Sequence, residues 1–234
     1  MTDESAPPSW AGLHDQPTMT VDEVMRRASS FRPTIRRSFG FDMPDARPSA
    51  TLVPIIDVDG EAAVVVTKRA GTMLHHRDDW VFPGGRMHEG VDATLADTAA
   101  READEELGVP RERLEIVAEL DSYGPINTGY LVHVFAGVVR GHVELVPDPR
   151  EVSDVAVVAL STLVSPTSYD MRYPFPSDHQ PGPLATNVPG RLRPIAKPGA
   201  TVECFFLRPG EILWGMQATI LANLLDLLAA PATR

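Results

Sequence analysis

The chain has 234 residues, which on domain-size grounds is one domain, or one domain with a substantial appendage. Hydrophobic residues make up 43%, enough to fill one sizeable core and to exclude a fully disordered chain. With 32 acidic against 21 basic residues the formal net charge is -11, which argues against a general binder of nucleic acid or of anionic membranes. A phosphate ligand stays open, because a divalent cation held by carboxylates supplies the positive centre it needs.

The lone cysteine, Cys204, cannot form an internal disulfide. No apolar run reaches the roughly 18 residues a membrane span requires. The polar, proline-containing start carries no signal-peptide pattern, so a soluble cytoplasmic protein is the expectation. Residues 1–47 read as an N-terminal extension with one helix over 20–29, capped by Thr20 and carrying Val21, Val24 and Met25 on a short apolar stripe. It would serve dimerisation or cover a site, or hang as a loosely held tail.

From residue 48 the signal changes. Segments 51–58 and 61–67 are β-rich and flank Asp59-Gly60, a dipeptide suited to a tight hairpin. A charged loop over 70–79 contains His75 and His76, whose adjacency lacks the spacing of a zinc pair. Trp80-Val81-Phe82 then runs into Pro83-Gly84-Gly85, and a helix is predicted over 93–107, stopped by Gly108 with Pro110 beyond. Strands follow at 114–120, 129–139 and 152–159, and a helical turn at 161–164. Residues 166–200 form an irregular, proline- and glycine-rich insertion. A strand at 202–207 and an apolar helix over 212–230 close a domain spanning 48–230. The last helix has Leu213, Met216, Ile220, Leu224 and Leu227 on one stripe, widened by Leu221, Leu225 and Leu228, to be buried against the sheet or against a second copy in a homodimer. The alternation of sheet and helix implies an α/β or α+β layered domain.

On a helical wheel Ala96, Ala99, Ala100, Ala103 and Leu107 share an arc of about 100°, a face for close packing on a sheet, and Glu102, Glu105 and Glu106 share an arc on the opposite side. Like charges at these spacings near a helix C-terminus are destabilising. A hard divalent cation, Mg²⁺ or Mn²⁺, would offset that, while a solvated acidic face is the plainer reading. The glycines at 84 and 85 let backbone approach a ligand without Cβ obstruction, and Arg101 sits where it would pair with Glu105.

The segment from Gly85-Arg86-Met87-His88-Glu89-Gly90 to Arg101-Glu102-Ala103-Asp104-Glu105-Glu106-Leu107-Gly108-Val109 resembles the Nudix box, whose second half is satisfied at every specified position. The resemblance implies a Nudix-type α/β/α sandwich with a mixed central sheet. It also implies metal-dependent hydrolysis of a pyrophosphate bond in a nucleoside diphosphate derivative. Glu102, Glu105 and Glu106 would bind the metal, joined by the Gly85 carbonyl. The first half of the box departs, with Ala93 at its glutamate position and Asp92 one residue earlier, where Asp92 suits a helix N-cap. The stretched loop is similar to the coenzyme A pyrophosphatase branch, as are Val65-Val66-Thr67-Lys68-Arg69, Phe82-Pro83-Gly84-Gly85, Thr128-Gly129-Tyr130-Leu131-Val132, Pro147-Asp148-Pro149-Arg150-Glu151-Val152 and Ile212-Leu213-Trp214-Gly215-Met216-Gln217-Ala218. Leu74 and Asp78 stand where that branch carries arginine and glycine.

The expected substrate is therefore coenzyme A or an acyl derivative, giving 3',5'-ADP and a phosphopantetheine. ADP-ribose, a dinucleotide or an oxidised nucleotide is the alternative, and a non-catalytic nucleotide-binding regulator a further one. Glu105 and Glu151 are candidate bases, with Arg101 completing the catalytic set; Glu151 otherwise pairs with Arg150. Lys68, Arg69 and Gly84 are candidate substrate contacts, although strand alternation brings only one of the two cations to the site face. Tyr123, Tyr130 and Phe135 would stack on a base or fill the core.

Overall fold

The computed structural model describes residues 7–28, 35–36, 46–71, 78–123, 129–174 and 201–230. In chain order the elements are α1 (Val21–Ala28), β1 (Ile35–Arg36), β2 (Arg47–Val58), β3 (Glu61–Arg69), β4 (Trp80–Val81), β5 (Gly84–Arg86) and α2 (Leu95–Leu107). They continue with β6 (Leu114–Glu119), β7 (Ser122–Tyr123), β8 (Tyr130–Val139), β9 (Val152–Ala159), α3 (Leu160–Leu163), β10 (Tyr169–Pro174), β11 (Thr201–Arg208), β12 (Glu211–Trp214) and α4 (Met216–Ala229). No described helix is long and apolar enough to cross a membrane.

The Asp59-Gly60 turn forms as expected: both residues have positive φ, 52° and 87°, and Val58 pairs with Glu61. β2 is the spine of the larger sheet. It runs antiparallel to β3 and β5 and parallel to β8 from Arg47 to Ile55, so the sheet is mixed. β9 flanks β3 on its other side. Alternation along β2 and β3 divides two cores. Ala50, Leu52 and Val65 pack with Ala99, Ala103 and Leu107 of α2. Val53, Ile55, Val64 and Val66 pack with Ile220, Leu224 and Leu228 of α4. The result is the α/β/α sandwich.

The apolar stripe of α4 is covered within this chain, by the sheet and by residues of the N-terminal segment. Trp10, Leu13, Met19, Val24 and Ala28 share its core. The Trp10 ring lies against Tyr169 and Phe205, centroids 4.5 and 5.6 Å away. Ser9 hydrogen-bonds Asp226, and Arg27 donates to the Leu228 carbonyl. The described residues 9–28 are docked against α4 and β11, and Thr20 Oγ1 accepts from Glu23 N at 3.3 Å at the start of α1.

Two expectations are corrected. The helix predicted over 212–230 begins only at Met216, because Ile212, Leu213 and Trp214 pair with Phe206, Phe205 and Cys204 as β12. Here ladder bonds override an apolar pattern that suits either element. Within the insertion predicted over 166–200, Tyr169–Pro174 is a strand on β11, while 175–200 lie outside the described residues. Tyr123 and Phe135 are core residues, and Tyr130 lies under the Arg47 guanidinium, 4.3 Å from its ring centroid.

Candidate active site

Helix α2 starts two residues later than predicted. Its N-cap is Thr94, not Asp92: Asp97 N donates to Thr94 Oγ1 at 3.1 Å and Thr94 N to Asp97 Oδ2 at 2.8 Å, a reciprocal capping box. Gly108 ends the helix with φ 67°, its N–H on the Asp104 carbonyl. Because the face toward the sheet is built of alanine, the helix comes down close to β5. A Cβ on Gly85 would fall 2.3 Å from Glu102 Oε1, and one on Gly84 2.5 Å from the Ala50 carbonyl. Gly84 is required by the β2 backbone, whereas at Gly85 a Cβ would instead push the Glu102 carboxylate away.

The glutamates do not lie across the helix from the alanines as one exposed face. At 100° per residue Glu106 is only about 20° from Ala99, and the structure buries Glu106 and Glu102, at 4% and 9% exposure, while Glu105 stays exposed. Glu106 Oε1 accepts from Gly84 N at 3.2 Å. Burial pushes its carboxyl from 4.5 up to about 8, helped by repulsion from Glu102 and Glu151 and opposed by the Gly84 N–H and by Arg69. Burial also raises Glu102, with Arg101 opposing and Glu105 and Glu151 adding repulsion.

Arg101 is buried and fully engaged. Its Nε and Nη2 donate to the two oxygens of Asp92, at 3.0 and 3.1 Å, and Nη2 also donates to the Arg86 carbonyl at 2.9 Å. Its Nη1 lies 2.8 Å from both Glu102 Oε1 and Glu105 Oε2. Asp92 further accepts from His88 N and Thr98 Oγ1. The guanidinium beside it, above all, lowers its carboxyl to about 2. Sequence reasoning missed this role for Asp92, since the pair joins a loop to a helix turn beyond any local period. The signal at hand was an acid standing one position from where the box carries its glutamate.

Glu151 comes from the turn before β9. Its carbonyl accepts from Ala70 N at 2.8 Å, and Asp148 N donates to the Glu106 carbonyl at 3.1 Å, which draws that turn against both β3 and α2. Arg150 pairs with Asp148 instead of Glu151. The two cations of β3 part company. Arg69 is within electrostatic reach of Glu106, and among the described residues its Nε is buried without a hydrogen-bond partner. Lys68 is not brought to the glutamates: its Nζ sits 3.0 Å from both Glu211 oxygens and its neighbours are Trp80 and β12. His75, His76 and Leu74 lie outside the described residues. Asp78 has φ 59°, the left-handed backbone that favours glycine.

Arg69, Gly84, Gly85, Arg101, Glu102, Glu105, Glu106 and Glu151 thus share one side of the sheet edge. Among the described residues no three acidic, histidine or cysteine side chains stand at metal-coordinating spacing. Arg101 and the Gly84 N–H hold the carboxylates instead. The donor set still fits a hard divalent cation: every candidate ligand is oxygen, two carboxylates are desolvated and mutually repelling, and the absent side chain of Gly85 lets the Glu102 carboxylate lie directly against its backbone.

Residues 46–177 match the NUDIX domain. The chain is 33% identical over 180 residues to the uncharacterized Nudix hydrolase NudL of Photorhabdus laumondii, covering 76% of this chain and 83% of that protein. It is 30% identical over 189 residues to Nudix hydrolase 3 of Caenorhabditis elegans, covering 76% and 72%. A solved Nudix hydrolase from M. smegmatis, RenU, superposes with a TM-score of 0.38 at 24% identity, over 49% of this chain and 71% of that one.

Proposed function

The chain belongs to the Nudix family and is a pyrophosphohydrolase, and on that premise we propose that it cleaves coenzyme A or acyl-coenzyme A to 3',5'-ADP and the corresponding phosphopantetheine, with Mg²⁺ or Mn²⁺. The observation that carries the site assignment is the burial of Glu102 and Glu106 beside Gly84 and Gly85, an arrangement whose desolvation cost a bound cation would offset. The coenzyme A reading is supported by the stretched loop between Gly85 and Arg101. Arg69 adds a cation within electrostatic reach of Glu106, suited to a phosphate.

In this reading Glu102, Glu105, Glu106 and the Gly85 carbonyl hold the metal, which when bound neutralises phosphate charge and acidifies a water. Arg101, locked by Asp92 and the Arg86 carbonyl, aims Glu102 and Glu105. Glu151, within electrostatic reach of Glu102 and Glu106, takes the proton from the attacking water. Arg69, the cation beside Glu106, attracts a phosphate oxygen, and Gly84, whose missing Cβ faces Ala50 and Thr51, keeps the glycine turn close against β2. Water oxygen bonds to one phosphorus, the bond from that phosphorus to the bridging oxygen breaks, and the leaving phosphate carries the bridging oxygen away.

The test is a panel of coenzyme A, acetyl-coenzyme A, ADP-ribose, a dinucleoside polyphosphate and an oxidised nucleoside triphosphate, assayed with Mg²⁺ and with Mn²⁺. Glu105→Gln and Glu106→Gln run alongside. The expected result is release of 3',5'-ADP from the coenzyme A substrates, lost with chelator and reduced at least about 10²-fold in both variants. A preference for ADP-ribose overturns the substrate. Undiminished activity in both variants overturns the site.

A further inference from the structure

The polypeptide between β4 and β5 changes partners: Trp80 and Val81 pair with β3, whereas Gly84, Gly85 and Arg86 pair with β2. Phe82 and Pro83 fall between the two ladders. Pro83 has no N–H, and its carbonyl accepts from Leu52 N at 2.9 Å. The buried Phe82 N–H is therefore the one main-chain donor at the crossing that neither ladder can satisfy, and burying it unpaired would be costly. It is taken by a side chain from the far face of the sheet: Gln217 Oε1, in the first turn of α4, accepts it at 3.1 Å. Two residues on, Gly84 N is held from the other face by Glu106 Oε1. The Phe82-Pro83-Gly84 segment is thus gripped from both layers of the sandwich, and the next residue is Gly85, over which Glu102 lies.

We infer that Gln217 is a positioning residue for the hydrolase site. By fixing the Phe82 amide it sets the position of Gly84 and of the Gly85 carbonyl relative to Glu102 and Glu106, and so tunes how tightly the site holds its cation. This rests on the metal-dependent reading above. Gln217 itself touches neither substrate nor metal. Three further contacts brace it: Trp214 Nε1 donates to Asp79, Trp80 Nε1 donates to Glu211, and Lys68 pairs with Glu211, so the whole β12–α4 junction clasps the edge strand that leads into the glycines.

The experiment compares Gln217→Met, which keeps volume and removes the acceptor, with Gln217→Glu, which keeps an acceptor oxygen. Mn²⁺ binding is followed by electron paramagnetic resonance on each protein without substrate, beside kcat, KM and the thermal midpoint. Losing one hydrogen bond that positions a ligand is expected to weaken Mn²⁺ binding about three- to tenfold and to lower kcat by a similar factor, with KM nearly unchanged. Gln217→Glu is expected to recover most of both. Wild-type Mn²⁺ affinity and kcat in Gln217→Met overturn the inference, as does an equal loss in both variants that tracks only a lowered thermal midpoint. If wild-type protein itself binds no Mn²⁺ and cleaves no diphosphate, the functional reading fails first and takes this one with it.

Discussion

Both Nε and Nη2 of Arg101 donate to the Asp92 carboxylate, in an ion pair whose two side chains are almost closed off from solvent. It joins an irregular loop to the middle of α2 and leaves Nη1 free to hold Glu102 and Glu105. Asp92→Asn keeps the shape and strands a buried guanidinium. The expected loss is about 3 kcal/mol in urea unfolding. Because the folded carboxyl is lowered from 3.8 to about 2, the pair's contribution is complete above the unfolded value and fades as pH falls toward 2. A variant with wild-type stability at pH 7 would show the pair to be idle.

Glu106 gives the opposite sign. Its carboxyl ordinarily ionises at 4.5 and in the fold only at about 8, so between those values the folded state holds a proton the unfolded state has released. Stability of the metal-free protein should fall as pH rises from 5 to 8. Glu106→Gln should flatten that slope and raise the thermal midpoint at pH 8 by several degrees. Saturating Mn²⁺ should restore the wild-type midpoint and do little for the variant. Parallel midpoint-against-pH curves would contradict the burial of that carboxyl.

Gly84 and Gly85 are expected to fail differently. A Cβ at 85 meets the flexible end of Glu102, which swings away; Gly85→Ala should fold but lose activity on the order of 10²-fold. A Cβ at 84 meets the Ala50 carbonyl and the Thr51 backbone, which cannot yield without moving β2. Gly84→Ala should therefore cost about 1 to 3 kcal/mol of stability, read by chemical denaturation.

Much of this was legible in the sequence because it is local. The hairpin at Asp59-Gly60 and the helix end at Gly108 each follow from residues within one turn of the feature. Partnership across the fold was not legible. The wheel grouped the three glutamates together, but only the sheet edge at Gly84 and Gly85 decides that 102 and 106 are buried and 105 is not. Asp92 offered an N-cap by residue type, yet Thr94 and Asp97 form the better box, which leaves Asp92 to Arg101. The apolar run before Met216 carries no mark that separates strand from helix, and β11 makes the choice.

Lys68 and Arg69, adjacent on β3, should separate in kinetics. Arg69→Met removes the cation beside Glu106 and is expected to raise KM about tenfold or more with a modest change in midpoint. Lys68→Met breaks the contact with Glu211 and should leave KM alone while costing roughly 1 kcal/mol. Equal effects on KM would mean that strand alternation does not sort the two.

The enclosure of Trp10 between Tyr169 and Phe205 gives the molecule an internal optical gauge. Trp80 is as thoroughly enclosed, but at the sheet edge beside Glu211, so the two indoles report on separate places. A red-shifted emission in a protein carrying both Trp80→Phe and Trp214→Phe, which leaves Trp10 as its one indole and still hydrolyses substrate, would register the amino-terminal segment peeling away while the catalytic layer stays assembled. A spectrometer can therefore distinguish undocking from global melting in a single sample.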